Sequence, residues 1–211
     1  MSQFRNPTGA FGRLLARGMA WGHKDFYKNT AKALDLKEED RYLEIGFGSG
    51  LFIKKYASHV ARIAGLDCSQ EMVNLASDIN KDLINSGKAE FKKGDASSLP
   101  WENDEFSAVV GIETFFFWDE PVKSLKEIYR VLAPGGRLVI EMAFNKDDGL
   151  DHSKHVKQMN LKVYSASEMT KMLNEAGFSE IIVIYYKGFW LSLKGHVVPK
   201  GMIVKGNKVK E

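Results

Sequence analysis

The sequence lacks several features that would set it apart from an ordinary globular domain. Its single cysteine, Cys68, has no partner within the chain for a disulfide, so we expect a reducing, cytoplasmic location. No apolar run approaches the roughly eighteen residues that a membrane-spanning helix needs, and the N-terminus has no apolar stretch typical of a signal peptide. Internal repeats and low-complexity tracts are also missing. These absences exclude a disulfide scaffold, a membrane span and a repeat array.

The composition is that of a folded domain, with basic residues concentrated at its two ends. Hydrophobic residues make up 44% of the chain and charged residues 27%, which excludes a disordered or collagen-like chain. Residues 1–24 hold four basic side chains and no acid, and residues 187–211 hold six lysines against one glutamate. Such ends attract nucleic acid or an anionic membrane surface, or they are solvated helix faces and a frayed tail. We expect no nucleic-acid partner and at most weak contact with a membrane surface.

Short apolar runs of strand length alternate along the chain with segments of helical periodicity. The helical segments carry apolar residues three and four positions apart, as in residues 72–83 and 122–132. Because right-handed crossovers connect parallel strands, this alternation predicts a mostly parallel sheet with helices on both faces, an α/β fold. The clearest predicted strands are residues 42–46, 63–67, 90–93, 107–112, 137–143 and 180–186.

Helix boundaries are marked by serine and glycine. Ser69 and Ser165 stand where they would cap the first turn of a helix, and Gly87 and Gly177 stand where a helix would stop. Residues 145–164 form the one long polar connection. A loop of that length inside a compact domain is often functional.

The most informative segment is residues 42–50, Tyr-Leu-Glu-Ile-Gly-Phe-Gly-Ser-Gly. A predicted strand runs into Gly46, Gly48 and Gly50, and a helix is predicted to start directly after them. Glycines let the backbone turn sharply and approach a ligand, and a helix N-terminus offers unpaired N–H groups. A dinucleotide site would need its third glycine where Leu51 stands, and no Walker lysine follows. The loop is therefore predicted to bind a ligand other than NAD or ATP.

Two acids follow the next two predicted strands. Asp67 ends the second strand, where a carboxylate accepts hydrogen bonds from both hydroxyls of a ribose. Asp95 ends the third strand, from which its side chain could meet an exocyclic amine. Either acid alone would more often be a helix cap or a turn residue. Together with the glycine loop, the two acids indicate a site for an adenosine.

With these features in register, the sequence resembles the class I S-adenosylmethionine-dependent methyltransferases. The resemblance is strong over residues 40–144 and looser elsewhere. Its motifs are Leu-Glu-Ile-Gly-Phe-Gly-Ser-Gly at 43–50, Gly-Asp-Ala at 94–96 and Leu-Ala-Pro-Gly-Gly at 132–136. The pattern is most similar to small-molecule methyltransferases of the ubiquinone and menaquinone biosynthesis type. The resemblance implies S-adenosyl-L-methionine as the cofactor and S-adenosyl-L-homocysteine as the product.

The resemblance also assigns a cofactor site, residue by residue. Glu44 would order the glycine loop, and the loop backbone would contact the methionine part of the cofactor. Asp67 would hold the ribose, Cys68 would lie beside the adenine, and residues 94–96 would frame the adenine edge. The complete predicted cofactor site is Glu44, Gly46, Phe47, Gly48, Gly50, Asp67, Cys68, Gly94, Asp95, Ala96, Ile112 and Glu113.

The fold implied by the resemblance is a single Rossmann-like domain over residues 1–211. Its doubly wound sheet would have seven strands, six parallel and the last antiparallel, with helices on both faces. Residues 1–38 would form an N-terminal helical cover, residues 39–144 the cofactor-binding core, and residues 145–211 the substrate-side loop with the C-terminal helix and strands. The last two strands are expected at 179–187 and at roughly 190–200.

Methyl transfer needs no conspicuous catalytic motif. An acceptor held about 3 Å from the methyl carbon reacts by in-line displacement, so positioning supplies most of the rate. A general base is needed only when the acceptor must lose a proton, and the candidates are Glu113, Asp119 and His23. The aromatic run 115–118 either encloses an apolar acceptor and shields the sulfonium, or packs in the core beneath a loop.

The histidines suggest a metal site as a second kind of site. His152 and His155 are three residues apart, with Asp148 and Asp151 nearby, a conceivable metal set. Such spacing in a polar loop is common by chance, so we expect no metal.

The sequence therefore predicts methyl transfer from S-adenosylmethionine to a small, partly apolar acceptor. Two alternatives stay open. The chain could bind the cofactor without turnover, or it could methylate tRNA or protein, as its basic ends would allow. Residues 111–114, Gly-Ile-Glu-Thr, weaken the nucleic-acid option, because amino-directed nucleic-acid methyltransferases carry an Asn-Pro-Pro-Tyr-like motif there.

Overall fold

A computed structural model describes residues 24–187 and 200–210, which contain one sheet of seven strands in the order β3-β2-β1-β4-β5-β7-β6. The strands are β1 Arg41–Ile45, β2 Arg62–Asp67, β3 Ala89–Lys93, β4 Phe106–Ile112, β5 Leu132–Met142, β6 Ser179–Lys187 and β7 Lys200–Asn207. The helices are α1 Lys24–Leu34, α2 Gln70–Ile79, α3 Lys81–Asn85, α4 Pro121–Val131, α5 Ser153–Met159 and α6 Ala166–Glu175. A turn of π-helix lies at Ile53–Ala57 and a turn of 3₁₀-helix at Phe115–Phe117.

The sheet has the predicted topology. Strands β3, β2, β1, β4 and β5 pair in parallel, and β7 runs antiparallel to both β5 and β6. Six strands therefore point one way and β7 points the other. This confirms the doubly wound Rossmann-like fold, and it brings the carboxyl ends of β1, β2, β4 and β5 to one edge of the sheet.

Each face of the sheet has its own hydrophobic core. Helices α1 and α2 pack on one face, over residues such as Phe52, Val110 and Ile203. Helices α4 and α6 pack on the other, over residues such as Val109 and Leu138. Because both faces are covered, β4 is buried along almost its whole length and reads as a continuous apolar run.

The predicted serine and glycine helix ends are confirmed, although the predicted helical stretch at 72–83 is divided at Asn80 into α2 and α3. The Ser69 hydroxyl accepts a hydrogen bond from the Met72 amide at the start of α2. Ser165 and Glu168 form a reciprocal capping box at the start of α6. Gly87 and Gly177 follow α3 and α6 with positive φ angles of 73° and 102°, which suit glycine.

The last strand lies further along the chain than predicted. It covers Lys200–Asn207, whereas the expected strand at roughly 190–200 falls almost wholly outside the described residues. The reading of the C-terminal residues as a frayed tail is also wrong. Met202, Ile203 and Val204 are buried between β5 and β6, where apolar side chains of a central strand must lie. Lysines flank this short apolar run, so the sequence pattern did not predict a strand there.

The structure describes all or part of two further predicted segments. The long connection at 145–164 contains the short helix α5, so it is not a plain loop. Helix α1 belongs to the predicted helical cover, whose residues 1–23 lie outside the described part of the chain. No helix within the described ranges is long and apolar enough to cross a membrane.

Candidate active site

The three glycines of the loop after β1 have positive φ angles for different reasons. The Gly46 amide donates to the Leu66 carbonyl at 2.7 Å, and a Cβ on Gly46 would collide with Thr114. A Cβ on Gly50 would lie 2.7 Å from the Asn80 amide nitrogen. Around Gly48, by contrast, a Cβ would meet nothing within 4 Å. Protein packing therefore requires the first and third glycines, while the middle one borders the space that a ligand would use.

Asp67 at the end of β2 is joined to this loop. One carboxylate oxygen accepts from the Gly48 amide and the other from the Ser69 amide, both at 2.9 Å. Each oxygen keeps a further lone pair, which is what two ribose hydroxyls require. Burial raises the pKa of Asp67 to about 6, although the two amide bonds act against the shift. The predicted ribose-binding acid is thus buried, oriented and still able to accept hydrogen bonds.

The predicted adenine contacts gather beside it, at the ends of β2 and β3. The Gly94 amide donates to the Asp67 carbonyl at 3.0 Å. The Asp95 side chain is exposed and accepts from the Ser97 amide, while Ala96 is buried and Cys68 is exposed. The exposed carboxylate of Asp95 is therefore accessible to a ligand.

Phe47 occupies a different place from the one its position in the loop suggests. Its ring is buried against Phe91, with 5.1 Å between the ring centroids, and it fills the space above Gly65. The side chain is therefore part of the core, and only the Phe47 backbone is left to contact a cofactor. Ile112, the last residue of β4, is also buried.

Glu44 is buried within β1, and its hydrogen bond comes from the Tyr42 hydroxyl at 2.6 Å. The bond lies along the strand, so the structure shows no direct bond from this carboxylate to a loop amide. Burial raises the pKa of Glu44 to about 8, and the charge of Asp67 contributes to the rise. Any role of Glu44 in ordering the loop is therefore indirect.

Glu113 follows β4 directly and has a positive φ of 54°. Its amide donates to the Glu141 carbonyl at 3.0 Å, and its carboxylate accepts from the Ala143 amide. The residue is half-buried, and burial raises its pKa to about 7. This candidate base therefore lies at the carboxyl edge of the sheet, as predicted.

Glu141 was missed by the sequence analysis. It is fully buried near the end of β5, directly beside Ile112 in the strand register, and the Tyr186 hydroxyl donates to it. Burial, followed by the charge of Glu113, raises its pKa well above the usual range. An acid inside the apolar run Leu-Val-Ile-Glu-Met was the signal that could have revealed it.

The aromatic run 115–118 lies in the core and does not enclose the acidic groups. Phe115, Phe116 and Trp118 are buried on the face covered by α4 and α6. The rings of Phe115 and Trp118 are 4.8 Å apart. Of the two readings offered by the sequence, core packing is the correct one for these three residues.

A different set of aromatic rings lies on the face that carries Glu44 and Glu141. Phe26 and Tyr27 of α1 contact Tyr186 and Phe52, with ring centroids 6.0 Å and 5.4 Å apart. These rings and the buried acids lie on the same side of the sheet. The acidic edge is thus covered by an aromatic helix face.

The other candidate groups lie elsewhere. Asp119 is exposed in the turn before α4, and its carbonyl accepts from the Lys162 ammonium at 3.1 Å. His23 lies outside the described residues. His152 pairs with Asp148 at 2.8 Å, and the side chain of His155 is outside the described part. Within that part no three metal-binding side chains are grouped together.

The carboxyl edge of the sheet is therefore acidic. Among the described residues, no lysine, arginine or histidine forms an ion pair with the acids at this edge. A buried carboxylate without a counter-charge favours its protonated form, or a ligand that brings positive charge. The four acids are Glu44, Asp67, Glu113 and Glu141.

The fold and the carboxyl edge of the sheet together indicate the class of protein. A glycine loop at the end of β1 and an acid at the end of β2 lie together at the edge where open α/β sheets bind ligands, an arrangement typical of Rossmann-like enzymes that bind nucleosides.

Comparison with known proteins identifies the family. The family model "Methyltransferase domain" matches residues 43–140. An uncharacterized protein of Methanocaldococcus jannaschii is 31% identical over 162 residues, covering 74% of this chain and 73% of that protein. The demethylmenaquinone methyltransferase of Staphylococcus saprophyticus is 24% identical, over 88% of this chain and 90% of the relative. The methyltransferase solved in complex with the Haloferax volcanii Trm112 methyltransferase activator has a TM-score of 0.79 at 20% identity, over 93% of both chains.

The chain belongs to the class I S-adenosylmethionine-dependent methyltransferases. It is an S-adenosylmethionine-dependent methyltransferase, and its relatives include enzymes that act on small molecules.

Proposed function

We propose that this enzyme methylates a small, partly apolar acceptor that binds beneath α1, at the carboxyl ends of β4 and β5. The observation that carries the proposal is the open space at Gly48, which lies next to the buried, oriented carboxylate of Asp67. Both the cofactor and the acceptor would enter from this edge of the sheet.

The residues of this edge fit S-adenosylmethionine part by part. Asp67 would accept from the ribose hydroxyls, and the exposed Asp95 carboxylate would accept from the adenine amine. The backbone around Gly46 and Gly48 would lie against the methionine part. When bound, the cofactor supplies an electrophilic methyl group on a positively charged sulfonium. The acids of this edge complement that charge.

The acceptor would lie between α1 and the strand ends. The Phe26 and Tyr27 side of α1 supplies apolar surface, and Glu113 supplies a polar group that is not fully buried. A ligand site of this kind combines apolar walls with a few convergent polar groups. Most of the rate would come from holding the acceptor in line with the methyl group.

The test of the cofactor site is calorimetric titration with S-adenosylmethionine and S-adenosylhomocysteine. We expect micromolar binding by the wild type and a ten- to hundredfold loss for Asp67→Ala, because hydrogen bonds to a charged group contribute about 1.5–3 kcal/mol. The matched control is Asp78→Ala, which removes an exposed acid from α2. Its affinity should equal that of the wild type.

A second pair of variants separates ligand contact from loop packing. Gly48→Ala should bind the cofactor more weakly, because the new methyl group enters the open space, and its φ of 53° should cost it less stability than the collision costs Gly46→Ala. Gly46→Ala should lose stability, since its methyl group would collide with Thr114. Wild-type affinity in folded Asp67→Ala and Gly48→Ala would disprove this placement of the cofactor.

A further inference from the structure

Two carboxyl groups, Glu113 and Glu141, meet at the acceptor side of the site. The two strands β4 and β5 are in register with Ile112 opposite Glu141, which sets Glu113 beside it. The Glu113 amide donates to the Glu141 carbonyl at 3.0 Å, and the charge of Glu113 contributes to the raised pKa of Glu141. Each also has one donor of its own, the Ala143 amide for Glu113 and the Tyr186 hydroxyl for Glu141. Three segments of the chain therefore hold the pair in place: the end of β4, the end of β5 and β6.

One oxygen of this pair lacks a donor. Oε2 of Glu141 is fully buried, and no N–H or O–H group of a described residue donates to it. Buried polar atoms are rarely left without a partner, because the loss costs about 1–3 kcal/mol. A proton shared with Glu113 would supply the missing bond. A nitrogen ligand that delivers a proton to the pair would supply it as well.

No positive charge in the described structure balances this pair. The titratable groups that face it are Tyr27 of α1, Glu44 of β1 and Tyr186 of β6. Burial, followed by the charges of Glu44, Glu141 and Glu113, raises the pKa of Tyr27, so this phenol stays neutral. The described groups around this site are acids and neutral phenols, which attract cations and repel anions.

The pair is also displaced from the cofactor loop. Strand β4 lies between β1 and β5, so Glu141 is two strand spacings, roughly 10 Å, from the strand that carries the glycine loop. Asp67 lies on the opposite side of β1, toward the ribose. Glu113 and Glu141 therefore lie on the acceptor side of the transferred methyl group.

We infer that the acceptor of this methyltransferase is an amine, whose nitrogen is bound by the Glu113–Glu141 pair and gives its proton to it. The inference rests on the proposed function. Glu113 is half-buried and touches the acceptor, whereas Glu141 lies behind it and acts as a positioning residue. A phenolate or an enolate would bring negative charge against two acids, so the same site disfavours these acceptors.

The ammonium form of the acceptor gives one proton to the Glu113 carboxylate of the pair, which leaves a neutral amine with a free lone pair. That lone pair attacks the methyl carbon, the new N–C bond forms as the S–C bond breaks, and the S–C electrons stay on sulfur. The products are an N-methylammonium ion and S-adenosylhomocysteine. The proton held by the pair then leaves to water.

The experiment uses amines with alkyl, phenyl and indole tails, each matched with the alcohol or phenol of the same shape. Formation of S-adenosylhomocysteine is measured by mass spectrometry, and binding of each probe to the enzyme with S-adenosylhomocysteine is measured by calorimetry. We expect methylation of at least one amine and none of its oxygen analogues. Turnover of a phenol or alcohol but of no amine, or failure of every amine to bind, would overturn the inference.

Variants test the role of the pair. Glu141→Gln should lower kcat/KM for the amine at least tenfold and change the pH profile, because Glu113 must then accept the amine proton without a second carboxyl group beside it. Tyr186→Phe keeps the ring beside Phe26 and removes the hydroxyl donor, so it should cause a smaller loss in the same direction. This variant decides the question if Glu141→Gln does not fold.

Binding of S-adenosylhomocysteine separates this inference from the proposed function. Glu141→Gln should bind it within twofold of the wild type. An equal loss of cofactor affinity and amine turnover would place the pair in the cofactor site and overturn the inference. If the wild type itself fails to bind S-adenosylhomocysteine, the proposed function fails first.

Discussion

Charged side chains at the two edges of the sheet have opposite surroundings. At the amino ends of the strands, Asp40 pairs with Arg137 at 2.5 Å, and Arg62 pairs with Glu90 and Glu105 at 2.6 Å. At the carboxyl ends, within the described ranges, the four acids have no cationic partner. Burial acts to raise the pKa of Asp40, yet hydrogen bonds led by Arg137 bring it below the usual value. The pKa values of the carboxyl-edge acids rise instead.

This difference separates charges that stabilise the fold from charges that serve a ligand. Arg137 also donates to the Leu34 carbonyl at 2.5 Å, so the amino-edge pair fastens the end of α1 to β5. Such a pair is complete within the protein. An acid that stays unpaired at the carboxyl edge costs stability, and a buried group that carries such a cost is a candidate for function.

The largest effect should come from breaking the amino edge. Arg137→Met leaves the buried Asp40 carboxylate without its cation, so we expect a loss of about 3 kcal/mol in the free energy of unfolding at pH 7. Urea denaturation measures it. The double variant with Asp40→Asn should recover part of the loss, because it removes the uncompensated charge. A loss below about 1 kcal/mol would mean that this pair is no stronger than a surface pair.

The acids at the carboxyl edge should make the stability of the protein depend on pH. Glu44 has a folded pKa of about 8 against an ordinary value of 4.5, so between these values the folded state holds more protons than the unfolded state. Stability of the ligand-free protein should therefore fall as pH rises through this window, by on the order of 2 kcal/mol between pH 5 and pH 8. Thermal unfolding across this range measures it.

Glu44→Gln should reduce that dependence, because the amide oxygen still accepts from Tyr42 but cannot ionise, while the other raised acids keep their contribution. The exposed Glu102 provides the control, and Glu102→Gln should leave the pH dependence unchanged. If the stability of the wild type rises steadily from pH 5 to pH 8, the pKa values of the carboxyl-edge acids are not raised in the folded state, and the two edges do not differ in this way.

The response to a ligand should be smaller but more specific. S-adenosylmethionine carries a sulfonium charge that S-adenosylhomocysteine lacks, so it should lower the pKa values of the nearby acids further and release more protons at pH 7. A shift of one unit corresponds to about 1.4 kcal/mol. Calorimetry in buffers of different ionisation enthalpy gives the number of protons released. Equal release by the two ligands would show that the acids do not sense the sulfonium.

The smallest effect should come from an exposed pair away from both edges. Lys123 pairs with Glu120 at 3.1 Å on α4, where both side chains are more than half exposed. Lys123→Met should change the free energy of unfolding by no more than about 0.5 kcal/mol, and that difference should vanish in high salt. The same urea experiment that tests Arg137→Met measures it. A larger change would contradict the expectation that an exposed ion pair contributes less to stability than a buried one.

Much of the cofactor side of the site was predictable, because it is local in sequence. The glycine loop and Gly94 each follow a strand directly, Asp67 is the last residue of β2, and parallel strands bring their carboxyl ends to one edge. Helix caps such as Ser69 and Ser165 were predictable for the same reason, since capping involves residues only three positions apart. By contrast, the aromatic run after β4 had two possible environments, and its neighbours in the chain do not distinguish them.

By itself, the sequence determined the order of strands and helices, the glycine loop and the acid at the end of β2, because short-range periodicity and turn residues specify them. Only the tertiary structure decided which side chains meet. It placed Glu141 beside Glu113 through the register of β4 and β5, and it inserted β7 between β5 and β6. Pairing between distant strands depends on which faces are buried together, and that information is distributed over the whole fold. The unbalanced charge of the carboxyl edge appears only after that assembly.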